Sequence, residues 1–121
     1  MDSYKNTFEN LFIRKEAKQI FITLYKKLNE STFRDYFFKD QILRSALSIS
    51  NNIAEWQERQ TEKEFARFLY IAKWSAGETR NMLLIGKDLW YFNDEEYKIA
   101  LEQINKISWG LHNLIKHQFA I

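Results

Sequence analysis

The chain has no cysteine, no proline and only three glycines among its 121 residues. Without cysteine it can form neither disulfides nor thiolate metal sites, a usage that fits a reducing cytoplasm. Without proline, and with so little glycine, it has few points at which a helix must break. No stretch approaches the ~20 apolar residues needed to cross a bilayer. The amino terminus, MDSYKNTFENLF, lacks the basic region and continuous apolar run of a signal peptide. Together these absences describe one soluble, cytoplasmic domain of helices joined by short turns, spanning residues 1–121, with no membrane partner.

What is present is apolar periodicity. Ile13, Ala17, Ile20, Leu24 and Leu28 recur at helical spacing and predict a first helix over about residues 7–28. Lys15, Lys18 and Lys26 fall on roughly its opposite side, as solvated charge does. The following segment, residues 30–40, is polar and aromatic without a clear period. Its Phe33, Tyr36, Phe37 and Phe38 either cap one end of a bundle or form an exposed binding surface. Asp40 suits the start of a second helix, over about residues 40–58.

That helix carries the sequence's most distinctive run, QILRSALSISNNIAE. Ile42, Ala46, Ile49 and Ile53 share one face. Leu43, Leu47, Ser50 and Ala54 widen it with several small side chains. Ser45, Ser48, Ser50, Asn51 and Asn52 are unusual in so apolar a helix, because such side chains compete for backbone hydrogen bonds. They imply a packing or partner role. Thr61 with Glu64, and Asn93 with Glu96, read as capping boxes opening a third helix over about residues 62–89 and a fourth over about 94–117. The third is apolar on two sides: Phe65, Phe68, Leu69, Ala72, Ala76, Leu83 and Gly86 on one, and Ile71, Trp74, Met82, Ile85 and Leu89 on another. Two apolar sides need two covers. Either the second is an oligomer face, or it packs on the aromatic connection. Tyr97, Leu101, Ile104, Ile107 or Ser108, Leu111, Leu114 and Ile115 make the core stripe of the fourth. The fold expected is all-α, an antiparallel up-and-down four-helix bundle.

The run from Gln41 to Glu55 resembles the signature of a family of four-helix-bundle proteins encoded by intervening sequences within bacterial large-subunit ribosomal RNA genes. Gln41, Arg44, Ala46, Ser48, Ile49, Asn52, Ile53, Ala54 and Glu55 carry the resemblance, and Arg59, Lys63, Glu64, Phe65, Arg67, Phe68, Leu69, Tyr70, Ile71, Ala72, Ser75 and Glu78 continue it. The resemblance implies a small helical bundle that assembles into a ring-like homopentamer. The similar accessory proteins of diversity-generating retroelements imply association with nucleic acid and with a protein partner, a reverse transcriptase. No enzymatic activity comes with it. Three positions depart from the family: Trp56, Trp74 and Trp90 stand where glycine is expected, which threatens clashes wherever glycine served close approach. Either those sites are exposed or lined with compensating space, or the tryptophans reflect a UGA codon that different genetic codes read as tryptophan or glycine. Ser50 likewise replaces the family's proline.

The net charge is only +2, from 18 basic and 16 acidic residues. So small a bias gives a monomer weak affinity for nucleic acid, although a ring repeats each basic patch in every subunit. The candidate RNA or DNA contacts are Arg44, Arg59, Lys63 and Arg67 around the second turn, with Lys73, Arg80 and Lys87 at seven-residue spacing on the third helix. Seven residues is nearly two helical turns, so the last three make a straight basic line. Trp56 or Tyr70 could stack on bases beside it; alternatively the basic groups pair with carboxylates of adjoining helices. Asn52, Ile53, Ala54 and Glu55 read as signature and packing residues. His112 and His117 lie five apart on one helix, without a glutamate three residues before either, so they do not make a di-metal carboxylate pattern. Nor is there a glycine-rich phosphate loop, a cysteine nucleophile or a supported Ser-His-Asp spacing. The sequence thus predicts no catalytic, metal or cofactor residues, and a self-associating protein that is either a nucleic-acid binder or a protein–protein adaptor.

Overall fold

The computed structural model describes residues 8–59 and 66–119. Four helices follow one another: α1 (Phe8–Leu28), α2 (Tyr36–Arg59), α3 (Ala66–Asp88) and α4 (Asp94–Phe119). Each packs on its neighbours in sequence, and α1 closes on α4, which makes the antiparallel up-and-down bundle. The core is built from the stripes themselves. Ile13, Ala17, Ile20, Leu24 and Leu28 of α1 meet Ile42, Ala46, Ile49 and Ile53 of α2, Leu69, Ala72, Ala76 and Leu83 of α3, and Ile104, Ile107, Leu111 and Leu114 of α4, all buried. Each fully buried branched side chain contributes about 1.5–3 kcal/mol through the apolar area removed from water.

The second helix begins earlier than the sequence suggests, at Tyr36 rather than near Asp40. Asp35 is the cap: its carboxylate accepts the Phe38 amide at 3.0 Å, satisfying one of the orphan donors of a first turn. Tyr91, from the connection before α4, donates its phenol to the same carboxylate. The residue that caps α2 is thus also bonded across the bundle end. The aromatic segment divides accordingly. Phe33 and Phe38 pack edge-on against Tyr91, with ring centroids 4.9 and 5.0 Å away, and close that end, whereas Tyr36 and Phe37 remain exposed.

The box at Asn93 and Glu96 closes in both directions. The Glu96 amide donates to Asn93 Oδ1 at 2.7 Å, and the Asn93 amide donates to Glu96 Oε1 at 2.8 Å. The corresponding pair Thr61 and Glu64, and Phe65 and Lys63 with it, lies outside the described residues. The far end of α3 is a Schellman motif, with the Trp90 amide on Lys87 O at 3.0 Å and the Tyr91 amide on Gly86 O at 2.8 Å. Trp90 itself takes φ 66°, the left-handed conformation that ordinarily selects glycine. Gly86 meets a different demand, since a Cβ there would come within 2.4 Å of the Phe92 ring.

The three tryptophans that replace expected glycines thus have different surroundings. Trp74 and Trp90 are 77% and 91% exposed, so neither meets a neighbouring helix, while Trp56 is buried at 2% and forms part of the core.

Candidate functional site

The α2–α3 seam accounts for two of the hydroxyl side chains of the distinctive run, Ser45 and Ser48. Ser45 Oγ lies 2.8 Å from Thr79 Oγ1, and Ser75 donates to Ser48 Oγ at 2.8 Å. Asn52 Nδ2 donates to the Ser48 carbonyl at 2.8 Å and to its Oγ at 3.1 Å. Ser45 and Thr79 also reach the carbonyls of Ile42 and Ser75, each at 2.9 Å. Small side chains let the helices approach, and the hydrogen bonds make burial of Ser45, Ser75 and Thr79 tolerable, because a buried hydroxyl left unpaired costs about 1–3 kcal/mol. Of the other signature positions, Ile53 is in the core and Ala54 half-buried. Glu55 is exposed and pairs with Arg59 at 3.2 Å.

The candidate basic residues do not form one patch. Arg44 is exposed on α2 and joins no ion pair among the described residues. Arg59 and Arg67 converge on the Phe68 ring, with guanidinium carbons 5.6 and 5.0 Å from its centroid. Lys73, Arg80 and Lys87 follow the α3–α4 seam: Lys73 lines a depression together with Ser108, Arg80 Nη1 reaches Asn105 Oδ1 at 3.4 Å, and Lys87 Nζ lies over the Tyr97 ring at 4.7 Å. Of the second apolar side of α3, Ile71, Trp74, Ile85 and Leu89 are exposed, while Met82 packs against the core.

Two adjoining depressions open on the outward side of α3 and α4. One, of about 800 Å³, runs past Tyr70, Trp74 and Gly77, and the other, of about 300 Å³, reaches Trp109 and His112; Lys73, Arg80 and Ser108 line both. Trp109 is 66% exposed and stacks on His112, with centroids 5.5 Å apart and planes 21° from parallel. Trp109 and Asn105 escaped the sequence reading, and Ser108, expected there only as an alternative to Ile107 in the core stripe, lines the depressions instead. Trp109 was detectable in principle, because two residues past Ile107 and two before Leu111 lies the side of α4 turned from the core.

A separate cleft of about 470 Å³ lies between α1 and α4 over Leu24, Phe92 and Ala100. Lys27 pairs with Glu96 at 3.0 Å at its rim. Burial raises the Glu96 carboxyl, but the Asn93 amide and Lys27 together bring it below its ordinary value. At the bundle end the Tyr91 phenol, and then the Phe38 amide, hold the Asp35 carboxyl below its ordinary value against a smaller effect of burial. The same bond raises Tyr91. Among the described residues no three His, Cys, Asp or Glu side chains gather in a way that could hold a metal ion, and no helix is long and apolar enough to cross a membrane.

This is a four-helix bundle with one seam closed by hydroxyl groups and another bordered by cations and exposed aromatics. A family model described as 23S rRNA-intervening sequence protein matches residues 9–113. The chain belongs to that family. It is similar to a protein of unknown function from the S23 ribosomal protein family of Bacteroides thetaiotaomicron VPI-5482, whose crystal structure shares 25% identity with it. The match covers 90% of this chain and 99% of that one, with a TM-score of 0.80. No curated protein matches.

Proposed function

We propose that this chain is a non-catalytic bundle that self-associates into a cyclic homo-oligomer, a pentamer by the family resemblance, and binds nucleic acid, with RNA favoured over DNA by the same family context. The observation that carries the reading is the outward α3–α4 side, where Lys73 and Arg80 stand among Tyr70, Trp74 and Trp109. Cations neutralise phosphates and exposed rings accept bases. Repetition around a ring compensates for a small charge per subunit. The exposed Ile71, Ile85 and Leu89 support self-association.

Those same apolar residues also favour a second reading, an adaptor that holds a protein partner and no nucleic acid. Light scattering behind size exclusion, at low and moderate salt and with or without nuclease treatment, separates the two. The proposal expects a mass several times 14.7 kDa and an absorbance ratio that drops after nuclease. A monomer carrying no nucleic acid overturns it. An oligomer free of nucleic acid, with partner binding insensitive to salt, supports the adaptor instead.

A further inference from the structure

We infer that the two depressions on the outward side of α3 and α4 form one continuous seat for single-stranded nucleic acid, in which unpaired bases stack on Trp74 and Trp109 while the intervening phosphates lie against Lys73 and Arg80. The inference deepens the nucleic-acid reading above and rests on it. Its first support is the cost of the arrangement. Trp74, Trp109 and Tyr70 leave large ring surfaces in water, forgoing the burial that stabilises most aromatics. A fold that needed them only for stability would turn them inward.

The second support is the placement of charge. Lys73 and Arg80 each line both depressions, so the cations lie between the two rings. This order of ring, cation and ring is the order in which a single strand alternates base and phosphate. Neither cation is held by a carboxylate among the described residues. The one carboxylate lining either depression, Glu78, belongs to the larger, and a phosphate path past Lys73 and Arg80 has to avoid it.

Gly77 is the third support. A Cβ at this position would have nothing within 4 Å, so no neighbouring helix requires the glycine, although glycine within a helix costs about 0.5–1 kcal/mol relative to alanine. It leaves bare backbone between Trp74 and Arg80 where a planar base can lie flat. A duplex cannot use the site in this way, because its bases already stack on one another and it offers chiefly phosphates and sugars.

The test is fluorescence anisotropy on the full chain with fluorescein-labelled oligouridine and oligoadenosine of about 12 nucleotides, against a labelled RNA duplex of the same length, at about 0.1 M salt. Single strands are expected to bind at least about tenfold more tightly than the duplex. Trp109→Ala and Trp74→Ala are each expected to weaken single-strand binding about tenfold with an unchanged salt slope. Lys73→Gln combined with Arg80→Gln lowers the slope itself. Trp109 lies on α4, away from Ile71, Ile85 and Leu89, so its replacement separates base stacking from any change in self-association; the variant's mass by light scattering checks this. Equal binding of duplex and single strand, or unchanged affinity in Trp109→Ala, overturns the stacking seat while leaving a phosphate-only interface. Failure of every probe to bind overturns the nucleic-acid reading as well.

Discussion

Helix α3 presents opposite chemistry at its seam with α2 and on its outward side. Toward α2 it offers Ser75 and Thr79, whose hydroxyls are buried and hydrogen-bonded to a matching set on α2. Toward the solvent, along the larger outward depression, it offers Tyr70 and Trp74, large rings that remain exposed. Burial of apolar area alone would produce the reverse. The difference separates two demands: close approach, met on one side by small hydroxyl residues that satisfy each other, and presentation of ring surface on the other, which contributes little to folding.

Mutations at the two seams should accordingly diverge. The largest effect is expected from Ser75→Leu, which both overfills the α2–α3 seam and removes the bond to Ser48. It should destabilise the bundle by about 3 kcal/mol in urea unfolding, at the upper end for overpacking. Next comes Trp90→Gly. It removes a bulky residue from a left-handed position and should raise stability by about 1 kcal/mol by the same measurement. Trp109→Ala should change stability by less than about 0.5 kcal/mol, as exposed positions do; a loss comparable to that of Ser75→Leu would show that the ring supports the fold.

The smallest effect concerns pH. Because the folded-state value of Asp35 is lowered, its contribution is present above the unfolded value of 3.8 and is lost as pH falls through the lower folded value. Tyr91→Phe removes the principal cause, so the variant's stability should fall less steeply than that of the unaltered chain over the same acid range. At the alkaline end the raised Tyr91 value means that stability is retained below pH 10.0 and lost as the phenol ionises above it.

The sequence made the helices legible where one stripe dominates, as in α1 and α4, and where a cap is local, as at Asn93 and Glu96. It misplaced the start of α2 because both Asp35 and Asp40 are suitable caps and the one used, Asp35, is also bonded by Tyr91, 56 residues away along the chain. The serines of α2 announced a packing or partner role, but their partners Ser75 and Thr79 lie on another helix and carry no periodic signal. The basic line at Lys73, Arg80 and Lys87 was visible as a spacing, and its path along α4 was not. Trp74 read as part of an apolar side because periodicity records which residues share a face and not what covers it. At Trp90 the family resemblance implied glycine as the expected residue, and the left-handed backbone explains why glycine suits that position.

The most direct test of the nucleic-acid seat is ultraviolet crosslinking of the full chain to a 4-thiouridine-substituted single-stranded RNA, followed by tryptic peptide mapping. The seat predicts crosslinks within residues 68–73, 74–80 and 107–116, the segments that hold Tyr70, Trp74 and Trp109. Crosslinks confined to peptides of α1 or α2, with these three segments unmodified, would contradict it.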